Sequence, residues 1–387
     1  MENRKLLNEV RRLIKPLIDK SFFLLGPRGT GKTTWLRQTY PGSPFIDLLA
    51  DETYNRLLSH PQDLLSLIRR SDLDQPIIID EVQKLPRLLD EVHRLIESKK
   101  LVFILTGSSA RKLKRGAANL LAGRALHYEC FPLTAAELGA HFDLKRALQW
   151  GTLPALMHES DPKAYLESYV RLYLKEEVQQ EGLTRNIGAF RRFLEIASYS
   201  QAQPLVVTNV ARDAQVDRKV VEDYFLILED LLLSTRLPVF SRRAKRELVT
   251  KTKFFFFDAG VFQILRPRGP LDSTFELSGP ALETLVLNEI RALNSYLSLG
   301  YGLYYWRTKS KHEVDLVLYG EHGLRAFEMK STSRLRAEDF AGLRLFQQDY
   351  PMAQCTLIYT GDHKYTENNI SVVPADEFFR NPLRFLK

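Results

Sequence analysis

Cysteine is almost missing from this chain: Cys130 and Cys355 are the two among 387 residues. Each lies inside an apolar, strand-like run, so neither a disulfide framework nor a cysteine zinc site follows. Long hydrophobic runs are missing too. No stretch reaches the roughly 20 apolar residues that a membrane-spanning helix needs. The opening Met1-Glu2-Asn3-Arg4-Lys5 lacks the apolar core of a signal peptide. These absences point to the cytoplasm and away from a membrane partner. What is present is ordinary for a soluble globular protein, with 44% hydrophobic and 26% charged residues. The length exceeds one ordinary domain, and roughly two to four are expected. A net charge of +8 is mild evidence for a polyanionic partner and serves solubility equally well.

Residues 26–33 read Gly26-Pro27-Arg28-Gly29-Thr30-Gly31-Lys32-Thr33, a complete G-x-x-x-x-G-K-T phosphate-binding loop. Gly26, Gly29 and Gly31 let the backbone curl so that successive N–H groups face the phosphates. Lys32 supplies a point charge for the β- and γ-phosphates, and the Thr33 hydroxyl can ligate Mg²⁺. Ser21 to Leu25 is a buried-strand run just before the loop. Thr34 to Gln38 can open a helix whose N-terminus faces the anion. ATP with Mg²⁺ is the expected ligand.

Pro76-Ile77-Ile78-Ile79-Asp80-Glu81 is an apolar strand ending in two acids, the pattern called Walker B. Asp80 would hold Mg²⁺ through its water shell, and Glu81 would orient or deprotonate the attacking water. Leu101 to Ser109 is the next strand, ending in Thr106, Ser108 and Ser109. A polar side chain there would stand between Asp80-Glu81 and the γ-phosphate, with Ser108 the catalytic candidate. A serine-rich turn is the plainer alternative. With Phe45 to Leu48 and Ala125 to Cys130, strands and helices alternate up to about residue 130, as in a parallel sheet covered by helices. The spacing of Leu6, Leu7, Val10, Leu13, Ile14 and Leu17 predicts an amphipathic helix over residues 1–20.

Residues 131–184 lose the strand pattern, and Thr134–Phe142 and Lys163–Gln180 read as helical. Residues 185–260 then carry a helix, a tight turn at Gln215-Val216-Asp217, and a second helix from Arg218 to Leu231. Strand-like runs follow at Thr235–Phe240 and Phe254–Phe257. Between them Arg242, Arg243, Lys245, Arg246, Lys251 and Lys253 face a single acid. That is the outline of a winged helix with a basic wing, for which duplex DNA is the natural partner, with Arg218 and Lys219 as further phosphate contacts. A plain packing module is the alternative. Farther on, Glu283 lies on a helical stretch, Asp315 on a strand, and Glu328-Met329-Lys330 on the next strand of a hairpin, so these charges can converge.

The order of phosphate loop, Walker B, polar strand and then Leu121-Ala122-Gly123-Arg124 before a fifth strand resembles AAA+ ATPases. That resemblance implies an arginine reaching the γ-phosphate of a neighbouring subunit. Arg124 is the closest match in position, with Arg111 and Arg115 as alternatives and a helix C-terminal cation as the bland reading. It also implies a helical lid, in which Arg171 is the candidate for a second sensor arginine. Glu283, Asp315, Glu328 and Lys330 resemble a PD-(D/E)XK nuclease set, in which the carboxylates hold Mg²⁺ and the lysine acts on the water or transition-state oxygens.

Together with Phe256-Phe257-Asp258-Ala259-Gly260 and Tyr305-Trp306-Arg307-Thr308, these stretches resemble a bacterial and archaeal family of AAA+-type ATPases. Its members carry a C-terminal domain of unknown function similar to Holliday-junction resolvases. The implied architecture is α/β multidomain. Its parts are an AAA+ parallel-sheet core (1–130), a helical lid (131–184), a winged helix (185–260) and a PD-(D/E)XK nuclease-like α/β domain (270–387). The implied function is a DNA motor or remodeller, self-associated into a hexameric ring, acting on duplex or branched DNA by branch migration or translocation. An ATP-regulated, Mg²⁺-dependent endonuclease and an NTP-dependent signalling or defence switch are the alternatives.

Overall fold

The computed structural model describes residues 10–69, 72–109, 121, 123–173, 186–269 and 274–387. The chain divides into two compact units, Met1–Phe131 with Asp230–Leu233, and Pro132–Glu229 with Ser234–Lys387.

The first unit alternates β1 (Ser21–Leu25), α1 (Lys32–Thr39), β2 (Phe45–Asp47), α2 (Asp51–Ser59), β3 (Ile77–Asp80), α3 (Leu88–Lys99), β4 (Phe103–Gly107) and β5 (Ala125–Glu129). The five strands form one parallel sheet in the order β2-β3-β4-β1-β5. Every residue of β1, β3 and β4 is buried, as continuous apolar runs in a parallel sheet require. Leu88, Leu89, Val92 and Leu95 of α3 close part of the core. Because β4 is inserted between β1 and β3, the polar end of β4 lies between the phosphate loop and the acidic end of β3.

The helix expected over residues 1–20 is not found in its described part, where residues 10–17 carry no regular structure. Pro16 accounts for this, since it lacks an N–H and disfavours α-conformation in the residue before it. The segment is tied down instead by Arg12, which donates to the Phe131 carbonyl at 2.5 Å and to Cys130 Sγ at 3.1 Å.

The second unit begins with α4 (Ala135–Leu138), α5 (Leu144–Trp150), α6 (Pro162–Ser168) and α7 (Ile187–Ser198). A Thr134/Glu137 capping box starts α4, and Asp143, Asp161 and Asn186 cap the others. Next come β6 (Gln203–Pro204), α8 (Val207–Ala214), α9 (Arg218–Asp230), β7 (Ser234–Leu237) and β8 (Lys253–Phe256). The antiparallel sheet β6-β8-β7 beside α8 and α9 gives the winged-helix arrangement. After α10 (Ala259–Leu265) and the long α11 (Thr274–Tyr296), a mixed sheet is built from β9 (Gly302–Arg307), β10 (Glu313–Gly320), β11 (Gly323–Lys330), β12 (Gln354–Tyr359), β13 (Tyr365–Glu367) and β14 (Ile370–Pro374). Its order is β13-β14-β12-β11-β10-β9, with α12 (Ala341–Asp349) and α13 (Ala375–Arg380) completing the chain.

Two buried carboxyls tie helices within this unit. Glu289 of α11 accepts the N–H groups of Ala135 and Ala136 at 2.6 and 3.2 Å, and burial pushes its carboxyl up to about 8. Asp258 accepts from Thr152, Gly260 and Val261, and burial raises it to about 6.

Candidate functional site

The phosphate loop leaves β1 through Gly26, whose N–H donates to the Gly107 carbonyl at 3.2 Å. A Cβ at Gly26 would stand 2.3 Å from the Cys130 carbonyl oxygen, so no larger residue fits. Gly29 and Gly31 adopt φ of 80° and 85°, a region that favours glycine. Lys32 is buried, and its ammonium donates to the carbonyls of Gly26 at 2.7 Å and Pro27 at 3.1 Å, inside the curl of the loop. The Thr30 hydroxyl closes the turn on Pro27 at 2.7 Å. The side chains of Arg28 and Thr34 are exposed at the loop's rim.

Asp80 ends β3 beside the loop. Thr33 of α1 donates to its Oδ2 at 2.8 Å, and Thr106 of β4 donates to its Oδ1. Burial raises the Asp80 carboxyl above its ordinary value, against the two hydroxyl bonds that lower it. A hydroxyl and a carboxylate side by side are oxygen donors of the kind a hard divalent cation takes, so this corner fits Mg²⁺.

Glu81 takes a left-handed backbone conformation, φ 59°, unusual for a residue with a Cβ. Its N–H is held by Thr106 Oγ1 at 3.1 Å. The Gln83 amide donates to Glu81 Oε2 and, at 3.0 Å, to Ser108 Oγ, which lies 3.4 Å from the same carboxylate oxygen. The Gln83 Oε1 is buried without a hydrogen-bond partner. Gln83 was not singled out by the sequence. Its only signal is its place two residues beyond the Asp-Glu pair.

Arg124 immediately precedes β5, whose Ala125 lies level with Ser21 at the start of β1. Its side chain pairs with Glu97 at the end of α3. Arg111 and Arg115 lie outside the described residues, and Arg171 is exposed in the π-helical turn Tyr169–Tyr173.

The basic wing is not a free arm. Phe240 N–H donates to the Tyr305 carbonyl at 2.7 Å and Val249 N–H to that of Arg307 at 3.1 Å, pinning the wing along β9. The Arg242 guanidinium lies 4.7 Å from the ring centre of Tyr319, and Arg246 pairs with the buried Asp349 at 2.9 Å. Arg243, Lys245, Lys251 and Lys219 are exposed, while the exposed Arg218 pairs with Glu222 at 2.9 Å.

Lys253 requires correction as a DNA contact. It is fully buried, 0% exposed, with its ammonium among three carboxylates. Glu283 Oε2 lies at 2.7 Å, Glu313 Oε1 at 2.7 Å and Asp315 Oδ1 at 2.8 Å. Burial works against its charge, but Asp315, Glu283 and Glu313 together hold it well above its ordinary value.

The hairpin β10-β11 does bring Asp315 and Glu328-x-Lys330 together. Asp315 Oδ2 accepts the Met329 N–H at 2.9 Å, and Lys330 Nζ donates to Glu328 at 2.7 Å. Burial and the nearby Asp315 raise Glu328 to about 8, and burial raises Glu283 as well. The sequence alone does not place Glu313 or Lys253 in this cluster. A lysine opening a run of four phenylalanines was the available sign of a buried ion pair. The residues do not fit a divalent cation here, because Lys253 Nζ stands at the point where the three carboxylates converge.

Comparison with known proteins agrees with the first unit. Residues 19–139 match the family model described as AAA domain, so this part of the chain is similar to AAA domains. Residues 141–272 and 278–378 match two domains of unknown function, DUF8612 and DUF4143. An uncharacterized protein of Mycobacterium tuberculosis is 27% identical over 364 residues, 92% of this chain and 80% of its own length. An uncharacterized protein of Methanocaldococcus jannaschii is 24% identical, over 80% of this chain and 74% of its own. Among solved structures, the ORC2 protein of Aeropyrum pernix has a TM-score of 0.36 at 12% identity, covering 76% of this chain and 94% of that one. No helix among the described residues is long and apolar enough to cross a membrane.

Proposed function

We propose that the chain hydrolyses ATP to remodel or move along duplex or branched DNA, as a ring of subunits, six in the arrangement that the resemblance implies. The observation that carries this reading is the array of Asp80, Glu81, Gln83, Thr106 and Ser108 at the edge of the phosphate loop. When bound, Mg²⁺ would be held by Thr33 and by Asp80 through water, and would offset charge on the phosphates. Glu81 takes the proton of the attacking water, and Gln83 with Ser108 fixes the direction in which its carboxylate points. Thr106 ties Asp80 and the Glu81 backbone to one hydroxyl, so the two acids keep their separation.

The DNA side of the reading is supported by Arg243, Lys245, Lys251, Arg218 and Lys219, which are exposed cations on the wing and on the second helix of the winged helix. The C-terminal domain, in this reading, grips DNA rather than cutting it. The test is ATP turnover measured without DNA and with duplex, single-stranded and four-way-junction DNA, together with native mass. Turnover raised by duplex or junction DNA, in an assembly larger than a monomer, is expected. Slow, DNA-independent turnover by a monomer would replace this reading with a nucleotide-dependent signalling or defence switch.

A further inference from the structure

A lysine ammonium carries three N–H donors and no acceptor. In this fold Lys253 donates to Glu313 at 2.7 Å and to Asp315 at 2.8 Å on β10, and pairs with Glu283 of α11 at 2.7 Å. Those separations are hydrogen-bond distances, and Mg²⁺ would need its oxygens at about 2.0–2.1 Å. The three carboxylates therefore surround an ammonium that pairs with each of them. We infer that Lys253 Nζ is the resident cation of this cluster, so that the wild-type C-terminal domain binds no divalent metal there and is not a metal-dependent nuclease.

Charge supports the inference. Counted as formal charges, with every carboxyl ionised, Glu283, Glu313, Asp315 and Glu328 stand against Lys253, Lys330 and Arg307, four acids against three bases, a deficit of one. A divalent cation added to this set would turn the deficit into an excess. Replacing Lys253 by an uncharged side chain leaves four acids against two bases, a deficit equal to one divalent cation. A second observation points into the same cluster: Glu283 Oε2 and Glu328 Oε2 are both buried with no hydrogen-bond partner, oxygens that a metal could take once the lysine charge is gone. Among the described residues no group of three or more His, Cys, Asp or Glu is arranged to hold a metal ion. Lys253 is also anchored, since β8 pairs with both β6 and β7 and Lys253 stands opposite Pro204 and Leu237. Its withdrawal would disturb the centre of the winged-helix sheet.

The experiment uses the full chain without nucleotide and Mn²⁺ as the probe, read by electron paramagnetic resonance and by thermal unfolding. Wild type and Asp315→Asn should bind Mn²⁺ alike, with no equivalent assignable to the cluster. Lys253→Met, which keeps the stem and removes the charge, should gain one Mn²⁺ equivalent, and its unfolding temperature should rise with Mn²⁺. Lys253→Met with Asp315→Asn should lose both gains, and Lys253→Arg should show neither. An Mn²⁺ equivalent on the wild type that Asp315→Asn removes would overturn the inference, whatever becomes of Lys253→Met. So would a folded Lys253→Met that gains no metal, or Mg²⁺-dependent cleavage of four-way junctions by the wild type that Asp315→Ala abolishes.

Discussion

Glu81 combines three features: a left-handed backbone (φ 59°), an N–H held by Thr106, and a carboxylate held by Gln83. Backbone strain of this kind costs about 1–3 kcal/mol and persists where surrounding bonds over-determine it. Glu81→Gln should therefore retain ATP while lowering turnover by about 10²-fold or more, the usual contribution of a positioned base. Gln83→Ala should also leave ATP affinity near wild type and reduce turnover by less, since it frees the carboxylate without removing it. Single-turnover hydrolysis and equilibrium nucleotide binding check both. Wild-type turnover in Glu81→Gln would remove Glu81 from the reaction. At this scale the sequence discloses what is contiguous. Gly26 to Thr33 and Asp80-Glu81 are legible because loop and strand end are each built from neighbours in the chain. Glu313 and the true place of Lys253 are not, because their partners lie on other elements, and Gln83 gains its meaning only when β4 brings Ser108 beside it.

Elements were legible where period and burial agree. β1, β3 and β4 read directly as buried runs, and Gln215, at φ 53°, ends α8 where the turn is expected. The wing shows the limit. Its charge density is visible in sequence, but which cations are already engaged depends on β9, β10 and α12, which lie far along the chain. Neutralising Arg243, Lys245 and Lys251 should weaken duplex binding across sequences. It should also flatten the log–log salt slope by roughly 0.9 for each DNA phosphate that is no longer neutralised. Arg246→Ala should act differently, lowering stability by roughly 1 kcal/mol by leaving the buried Asp349 without its cation. That figure is held low because the guanidinium is 38% exposed. Binding isotherms at several salt concentrations, with chemical denaturation, separate the two effects. An unchanged slope in the triple variant would leave the wing as a packing element.

For the molecule as a whole, the decisive geometry is the parallel register of β5 with β1. Ala125 lies level with Ser21 and Glu129 with Leu25, so Arg124 sits at the end of the sheet away from its own phosphate loop. A strand of five residues spans roughly 17 Å at about 3.3 Å per residue, more than an arginine side chain covers. An arginine so placed can act on a phosphate only if another subunit brings one to it, as a head-to-tail ring does. In the single chain Arg124 rests on Glu97, and assembly would exchange that exposed pair for a phosphate. Arg124→Ala should then keep ATP affinity near wild type and lower turnover by about 10³-fold or more. Mixing tests the trans arrangement directly. Each Arg124→Ala subunit retains Glu81, and each Glu81→Gln subunit retains Arg124. A ring containing both variants therefore includes interfaces with one intact copy of each, and turnover should partly return. Two inactive variants that stay inactive when mixed, in a protein that remains monomeric with ATP and DNA, would leave Arg124 as a surface cation paired with Glu97.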